Sequence, residues 1–389
     1  MSLTPISAGF IPLVDAAPLI VAKELGFAEE EGLALSLVQA PSWSTLRDQL
    51  AFGHIQAAHM LSPVPVASHM GLMNGLPKLQ VLSVLSMNGN VIGVSPTMAG
   101  LLEVRGYQFD FSDAKAAALA VASLPKPLRI GVPFLLSMHA ELVSLWLNSV
   151  GLSAGTDFQI HAVPPPLMAQ AIKNGDLDVF CVGEPWGSFT VDTADGTLIL
   201  PGAAIWTAAP EKVLATRVDW SEQNEDTALR LIRALWRAGQ WLDLPSKQLA
   251  LAEVLARKDY VGVNSDLIDR ALTGRLVVNG AGDTKHHENF LRFHNEGATF
   301  PWQSQAEWIA DRLKARLGKT AQGENAEILG IFRSDLYRVA LRQLGTPMPL
   351  TNSKIEGSLS AKTEVRAVSG SLSLGQNRFF DGQTFDPQR

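Results

Sequence analysis

The sequence predicts an α/β protein built from two or three lobes. Short β-prone segments alternate with helical segments over the first half of the chain, a pattern typical of a mostly parallel sheet covered by helices. The 389 residues exceed what one hydrophobic core usually supports. With 47% apolar and 18% charged residues, the composition is that of an ordinary globular protein.

The start of the chain shows this alternation most clearly. Asp15 is a candidate cap for the first helix, because a carboxylate accepts hydrogen bonds from a helix N-terminus. After an apolar segment over 79–85, the turn-forming run Asn88-Gly89-Asn90 predicts the first crossing between lobes. Strands are predicted over 4–10, 33–39 and 57–61, and helices over 16–25 and from Ser42 or Ser44 to Gly53.

The predicted lobes follow from where the chain crosses. Residues 89–206 are predicted to form the second lobe, with regular structure starting at a strand over 129–132. The chain returns over 206–212, so the first lobe combines residues 1–88 with 207–345. Residues 346–389 begin with a stretch rich in Ser, Gly, Pro and Thr and are predicted to be a loop-like tail that docks back. Further helices are predicted over 222–242, 247–257, 306–317 and 326–342.

Charge and composition exclude several classes of function. A net charge of −6 argues against direct nucleic-acid binding, because no basic face is available to neutralise phosphates. The single cysteine, Cys181, excludes an intrachain disulfide. No apolar run approaches the roughly 20 residues of a membrane span. The first basic residue is Lys23 and prolines interrupt the N-terminal apolar stretch, so an export signal is not predicted and a cytoplasmic location is expected.

The stretch over 163–186, VPPPLMAQAIKNGDLDVFCVGEPW, organises the rest of the chain. It predicts a turn, a helix ending at Gly175, a buried strand over 178–182 and a glycine, Gly183, before a new helix opens near Pro185. A strand that leads into a helix N-terminus aims backbone N–H groups at one point, which suits a small anion. An ordinary strand-to-helix turn explains the same spacing.

This stretch resembles the corresponding segment of the nitrate- and bicarbonate-binding proteins of ABC importers. It resembles equally their cytoplasmic relative, the nitrate/nitrite sensor of the NasS type. The resemblance extends over nearly the whole chain and implies a two-lobed, type II periplasmic-binding-protein-like fold with a ligand cleft between the lobes. The other matching motifs are GFIPLVDAAPLIVAKELGF at 9–27, PSWSTLRDQLAFG at 41–53, APEKVLATRVDW at 209–220 and GATFPWQSQAEWI at 297–309.

The resemblance also implies the ligand-binding residues. A site for a planar, weakly basic anion needs a fixed positive charge, several hydrogen-bond donors that converge on the anion, and surrounding residues that exclude water. The matching motifs assign these roles to Trp43, His139 and Lys212, together with the backbone at Val182 and Gly183. Bicarbonate-binding relatives look acidic at the position of Lys212, so this residue favours nitrate or nitrite.

Two positions depart from the family pattern, and each assigned side chain has a simpler alternative. Asn90 stands where the importers' motif has glutamine, which shortens the reach of this predicted ligand contact. Gln305 replaces a family histidine and receives no role. Without the motifs, Trp43 reads as a core aromatic, His139 as a satisfied surface residue and Lys212 as a solvated lysine.

No metal, cofactor or catalytic chemistry is predicted. His286, His287, Glu288 and His294 cluster in sequence, but adjacent histidines point to different sides of an element, which disfavours a shared metal. Cys181 lies in an apolar run, as expected of an inert buried thiol rather than a nucleophile. The common hydrolase, P-loop and zinc-protease motifs are absent from the sequence.

The sequence therefore predicts a binding protein and not an enzyme. The first hypothesis is a cytoplasmic nitrate/nitrite sensor that sequesters an RNA-binding antiterminator of the NasT type and releases it when the anion binds. Its partners would be nitrate or nitrite and the antiterminator, without direct contact to nucleic acid or membrane. Two alternatives stay open: the solute-binding component of a nitrate ABC importer, and a pyrimidine-precursor enzyme on the same fold.

Overall fold

The structure, a computed structural model, describes residues 2–73, 75–318 and 325–387. Its strands and helices confirm the predicted α/β class. The strands are β1 (Thr4–Phe10), β2 (Leu33–Gln39), β3 (Ala57–Leu61), β4 (Leu79–Asn88), β5 (Asn90–Val94), β6 (Leu128–Val132), β7 (Phe158–Ala162), β8 (Val179–Gly183), β9 (Thr197–Pro201), β10 (Pro210–Arg217), β11 (Arg275–Val277), β12 (Thr284–His286), β13 (Leu291–Arg292), β14 (Thr363–Arg366) and β15 (Ser371–Leu374).

The helices connect and cover these strands. Short 3-10 helices lie at Val14–Ala16, Pro165–Leu167, Gly202–Ala204, Pro245–Lys247 and Asn295–Gly297. The α-helices are α1 (Ala17–Glu24), α2 (Phe27–Glu30), α3 (Trp43–Ala51), α4 (Pro63–His69), α5 (Pro96–Val104), α6 (Ala114–Ala122), α7 (Met138–Asn148), α8 (Met168–Lys173), α9 (Trp186–Ala194), α10 (Val218–Gln223), α11 (Glu225–Leu242), α12 (Gln248–Leu255), α13 (Ser265–Thr273), α14 (Gln303–Leu317), α15 (Asn325–Leu329) and α16 (Ser334–Arg342). In the described ranges, none of these helices combines the length and the apolar character that crossing a membrane requires.

Two large sheets each form the centre of one lobe. Lobe 1 surrounds a six-stranded sheet of order β13-β4-β10-β3-β1-β2, in which β1 runs parallel to β2 and β3 while β10 runs antiparallel to β3 and β4. Lobe 2 surrounds a five-stranded sheet of order β7-β6-β8-β5-β9. Strands β3, β4, β5 and β8 are buried along their whole length. Both faces of these strands are covered, and β5 and β8 are accordingly nearly continuous apolar runs. Strand β4 also buries the polar residues Gln80, Ser83, Ser86 and Asn88.

The crossings between the lobes lie side by side. Only Gly89 separates β4 from β5, and both Asn88 and Gly89 have positive φ, of 60° and 89°. Asn88 ties this crossing to the returning one: its Nδ2 donates to the Thr207 carbonyl at 2.9 Å, and its Oδ1 accepts from the Ala209 N–H at 3.2 Å. The lobe boundaries predicted from the sequence are not decided by these contacts and stay a prediction.

Several predictions about local structure are wrong. The predicted helix over 326–342 is interrupted, because α15 ends at Leu329 and α16 begins at Ser334. The regular structure of lobe 2 begins at β5 and includes α5 and α6, well before the predicted strand over 129–132. The overlooked signals were helix caps, because Ser95 and Asp113 accept hydrogen bonds from the first turns of α5 and α6. The tail is not only loop: β14 and β15 form a hairpin whose turn contains Gly370 at a φ of 70°.

The C-terminal segment packs on the second crossing. Phe380 donates its N–H to the Ile205 carbonyl at 2.9 Å, and the Thr207 N–H donates to the Arg378 carbonyl at 3.0 Å. The buried indole of Trp206 donates to Asn377 Oδ1 at 2.7 Å. The segment thus supplies backbone and side-chain partners to the chain where it returns from lobe 2 to lobe 1.

Candidate functional site

Lys212 is the centre of a buried polar cluster between the two sheets. It lies on β10 with no exposed side-chain surface, and its Nζ is 2.8 Å from Asp15 Oδ2 and 3.0 Å from Glu211 Oε1. Burial lowers the pKa of Lys212, but the two carboxylates outweigh burial and raise it above its ordinary value. The ammonium therefore stays charged in the interior.

A β-bulge brings Glu211 and Lys212 to the same cluster. Neighbouring residues of a regular strand point to opposite faces. Here Pro210 pairs with Met87 and Lys212 pairs with the adjacent Ser86, so Glu211 is an extra residue on β10. A bulge of this kind turns a side chain away from its regular direction. Strand alternation alone could not have predicted that Glu211 joins Lys212.

Asp15 is a site residue that the sequence analysis missed. The predicted helix cap is wrong: Asp15 lies inside a 3-10 helix that precedes α1, and neither helix shows a side-chain cap. Its carboxylate faces Lys212 and lies 2.9 Å from His59 Nε2. Burial raises the pKa of Asp15, yet Lys212 and His59 overcome this and hold it well below its usual range. Asp15 is therefore ionised, with Lys212 beside one carboxylate oxygen and His59 beside the other.

His59 is the second missed residue. It lies in the middle of β3 with no exposed surface, and burial lowers its pKa despite the attraction of Asp15, so the imidazole is neutral. A histidine inside the apolar strand sequence AAHML was the available signal. Its ring centroid is 5.8 Å from that of Trp43, whose ring in turn lies 5.7 Å from Lys212 Nζ.

Trp43 joins this cluster from the start of α3. Ser42 caps the helix by accepting from the Thr45 N–H at 3.2 Å, which fixes Trp43 in the first turn. Trp43 is buried, and its indole N–H has no partner among the described residues. The core-residue alternative explains the burial but not the unpaired donor, because buried N–H groups normally have acceptors.

Lobe 2 contributes His139 and the end of β8. His139 is the second residue of α7, is fully buried, and has Nδ1 3.1 Å from Glu211 Oε1. Burial and the nearby Lys212 lower its pKa well below the usual value, so this imidazole is also neutral. A Cβ at Gly183 would lie 3.9 Å from both His139 Nε2 and Asp15 Oδ2, so the backbone there borders the cluster. Val182 is buried in the sheet.

Asn90 reaches the cluster through a hydrogen bond with Glu211. Its Nδ2 donates to Glu211 Oε2 at 2.8 Å, while its Oδ1 has no partner in the described part of the chain. A Cβ at Gly202 would lie 1.7 Å from that oxygen, so this close approach requires glycine. Glu211 engages one of the two N–H groups of the Asn90 amide, so the role of Asn90 as a ligand contact stays a prediction.

The remaining candidates lie outside the cluster. Both polar side-chain atoms of Gln305 are buried without a described partner, and no contact connects them to Lys212. Across the described ranges, no group of three or more His, Cys, Asp and Glu side chains is placed to hold a metal ion. Burial, reinforced by Glu211, raises the pKa of Cys181 well above its ordinary value, which leaves a protonated thiol.

Hydrogen bonds between the lobes close the site. Trp186 Nε1 donates to the Pro12 carbonyl at 2.8 Å, and the Val14 N–H donates to the Glu184 carbonyl at 3.0 Å. These bonds join the loop that carries Asp15 to the turn after β8. Every side chain of the cluster is buried, so these contacts help to cover Lys212 in this structure.

The contribution of buried Glu184 to the stability of the protein is expected to fall between pH 4.5 and 7. Burial raises the pKa of Glu184 from 4.5 to about 7, and it does the same for Glu211. A raised carboxyl pKa stabilises the fold fully below the unfolded value and loses that contribution as pH rises through the folded value. Buried histidines such as His59 and His139, whose pKa values are lowered by burial, change stability in the opposite direction. Denaturant unfolding of the wild type and of Glu184→Gln at several pH values isolates the contribution of Glu184, because the stability of the wild type relative to the variant should fall as pH rises. A difference that does not change with pH would contradict the assignment to Glu184.

The sequence of this chain is similar to those of known binding proteins. The sequence profile of the NMT1-like family matches residues 2–256. The nitrate/nitrite binding protein NrtA of Nostoc sp. strain PCC 7120 is 30% identical over 397 residues, which cover 99% of this chain and 84% of that protein. The chain belongs to the NMT1-like family and is a homologue of NrtA.

Solved structures agree with the sequence relationship. The crystal structure of the periplasmic nitrate-binding protein NrtA from Synechocystis PCC 6803 covers 99% of this chain and 96% of its own, with a TM-score of 0.84 and 28% identity. A ligand-binding component of an ABC-type import system from Staphylococcus aureus shares the fold at a TM-score of 0.66 and 17% identity, covering 87% of this chain and 99% of its own. The predicted two-lobed binding-protein fold is confirmed for this NrtA homologue, whereas the predicted relation to NasS-type sensors stays a prediction.

Proposed function

We propose that this chain binds nitrate or nitrite in the cluster around Lys212 and serves as the solute-binding component of an ABC importer. The observation that carries the proposal is a charged, fully buried Lys212 beside the unpaired indole donor of Trp43, at the junction of two lobes. The homology to NrtA supports the same ligand class.

The chemistry of the cluster suits a small oxyanion. Nitrate and nitrite only accept hydrogen bonds at neutral pH, and Lys212, Trp43 and a neutral His139 all carry donors. Their burial removes competing water and strengthens each interaction. Asp15 and Glu211 compete with the anion for Lys212, so the anion must displace at least one carboxylate contact from the ammonium.

Binding rather than catalysis is part of this proposal. The thiol nearest the cluster, Cys181, is protonated and buried, and no redox cofactor or metal is needed to hold an oxyanion. A pyrimidine-precursor enzyme would require a reactive group facing the cleft. Neutral His59 and His139 lie against carboxylates instead of a nucleophile.

The importer replaces the sensor as the first function, because the NrtA homologues are nitrate-binding proteins and that of Synechocystis PCC 6803 is periplasmic. The cytoplasmic sensor with a NasT-type antiterminator is the alternative. The compartment separates the two, since only a protein outside the cytoplasmic membrane can deliver solute to an importer. Fractionation of cells that express the native gene, with co-purification of the adjacent permease or antiterminator, tests this. An antiterminator that binds this chain inside the cell and dissociates when nitrate is added would contradict the importer role.

The ligand is tested by calorimetry on the purified chain. Nitrate and nitrite are expected to bind one per chain, and sulfate, chloride and bicarbonate more weakly or not at all. Sulfate carries a second negative charge into a cluster whose described residues supply one cation, Lys212, already facing two carboxylates. Chloride lacks the planar set of oxygens that fixed donors could contact separately. Equal affinity for all five anions would contradict a built oxyanion site.

The Trp43→Phe variant isolates the unpaired donor. Losing one hydrogen bond of ~0.5–1.5 kcal/mol should weaken nitrate binding by about 2- to 13-fold. Folding stability should not fall through lost hydrogen bonding, because no described partner is left behind. Trp146→Phe is the matched control: its indole already donates to the Ala114 carbonyl at 2.6 Å, so it should lose stability and keep nitrate affinity. A Trp43→Phe variant that loses stability but keeps its nitrate affinity would indicate that Trp43 is a core residue and not a ligand contact.

A further inference from the structure

Glu211 lies 3.0 Å from Lys212 Nζ, the cation that the proposed anion would approach. We propose that Glu211 takes up one proton from bulk water as the anion binds, so that the site takes nitrate or nitrite together with a proton. This inference rests on the proposed function and adds the residue that couples it to pH. The balance is simple: the carboxylate and one proton become a carboxylic acid, and the anion enters beside Lys212.

Charged and titratable groups meet Glu211 from several elements. On its own strand, Lys212 Nζ lies 3.0 Å from Oε1; from α7, His139 Nδ1 lies 3.1 Å from the same oxygen. From β5, the Asn90 amide donates to Oε2 at 2.8 Å. Asp15 acts on Glu211 from the 3-10 helix before α1, and Glu211 in turn acts on the buried Cys181 of β8. His59 of β3 belongs to the same cluster through Asp15.

The charges of this cluster require compensation when an anion binds. Lys212 supplies one positive charge and Asp15 one negative charge, while both imidazoles are neutral. An ionised Glu211 already leaves the buried cluster with one negative charge in excess, and a bound anion adds another. Like charges in a water-poor site repel strongly. A proton on Glu211 removes one of these negative charges. It also weakens the attraction between Glu211 and Lys212 Nζ, so that the ammonium can contact the anion.

Glu211 is better placed to accept this proton than its neighbours. Asp15 has close contacts to both Lys212 and His59, which favour its ionised form. His139 is disfavoured as an acceptor by burial and by the positive Lys212. Burial raises the pKa of Glu211 to about 7, although Lys212 opposes this shift. Opening the cleft would return Glu211 to water and to the ionised form, so closure around the anion is the step that takes up the proton.

Calorimetry in several buffers measures the number of protons taken up per bound anion. Nitrate titrations at about pH 7.5, in buffers of different ionisation enthalpy, should show uptake approaching one proton per anion. Where one proton is taken up, nitrate affinity should fall about tenfold per pH unit. Glu211→Gln, which keeps the shape and the neutral form, should remove the uptake and flatten this pH dependence. Infrared difference spectra of the wild-type chain should show a protonated carboxyl on nitrate addition.

Glu184→Gln is the matched control for Glu211→Gln. Glu184 is also buried with a pKa raised by burial to about 7, but its carboxylate accepts from the Ser188 N–H at 3.1 Å and forms no ion pair with Lys212 in the described part of the chain. This variant should retain the proton uptake. Nitrate binding without uptake, or equal uptake in Glu211→Gln, would overturn the inference alone. No anion binding by the wild-type chain at any pH would overturn the proposed function as well.

Discussion

The Lys212→Met variant is expected to lose most nitrate affinity and part of its folding stability. A charge-assisted hydrogen bond contributes ~1.5–3 kcal/mol, so binding should weaken by about 10- to 150-fold. The ammonium is also the partner of Asp15 at 2.8 Å, and a buried charge left without its partner costs about 3–5 kcal/mol. Calorimetry with nitrate and denaturant unfolding measure the two effects separately.

The double variant Lys212→Met with Asp15→Asn separates binding from folding. It removes both members of the ion pair, so most of the lost stability should return. Nitrate affinity should stay low, because the positive charge is still missing. A single Lys212→Met variant that binds nitrate as tightly as the wild type would contradict the assignment of Lys212 as the counter-ion.

The Arg316→Met variant is expected to destabilise the contact between the lobes. Arg316 on α14, which also packs against α4 of lobe 1, places Nη2 2.8 Å from Glu141 Oε1 on α7 of lobe 2. Glu141 is buried, and its other carboxylate oxygen has no partner among the described residues. Losing the arginine should cost about 3–5 kcal/mol in the free energy of unfolding at neutral pH.

Two comparisons define the role of Arg316. Burial already raises the pKa of Glu141, so the loss of stability in Arg316→Met should shrink at acidic pH as that carboxyl is protonated.

Arg270→Met is the control variant. It removes another ion pair between helices, Arg270–Asp192, which is partly exposed to solvent and should cost at most ~1 kcal/mol. Because Glu141 and His139 lie in the same helix, Arg316→Met should also weaken nitrate binding. Equal unfolding midpoints for Arg316→Met and Arg270→Met would contradict a buried link between the lobes.

Much of the fold is visible in local sequence patterns. The first strands of lobe 1 were predicted because apolar residues alternate or run continuously between glycine and serine signals. The hairpin of β14 and β15 was missed because it is only partly buried and its sequence is poor in large apolar residues. Short exposed strands of this kind give a weak periodic signal.

Only those site residues that lie in motifs shared with known binding proteins could be predicted from the sequence. Trp43, His139 and Lys212 were assigned from segments that match known binding proteins, and the structure places them around one buried cluster. Asp15 and His59 lie in ordinary helix and strand patterns, so their function depends on distant contacts. Glu211 depends on a β-bulge, which sequence alternation does not reveal.

The most direct test of the proposed site is a crystal structure determined with saturating nitrate. We expect a planar anion in the closed cleft, with one oxygen within hydrogen-bond distance of Lys212 Nζ and others facing Trp43 Nε1 and His139. The ammonium should keep its contact with Asp15 and turn away from Glu211. Nitrate bound elsewhere on the protein, or a cluster that keeps both carboxylate contacts to Lys212 with no anion beside it, would contradict the proposed site.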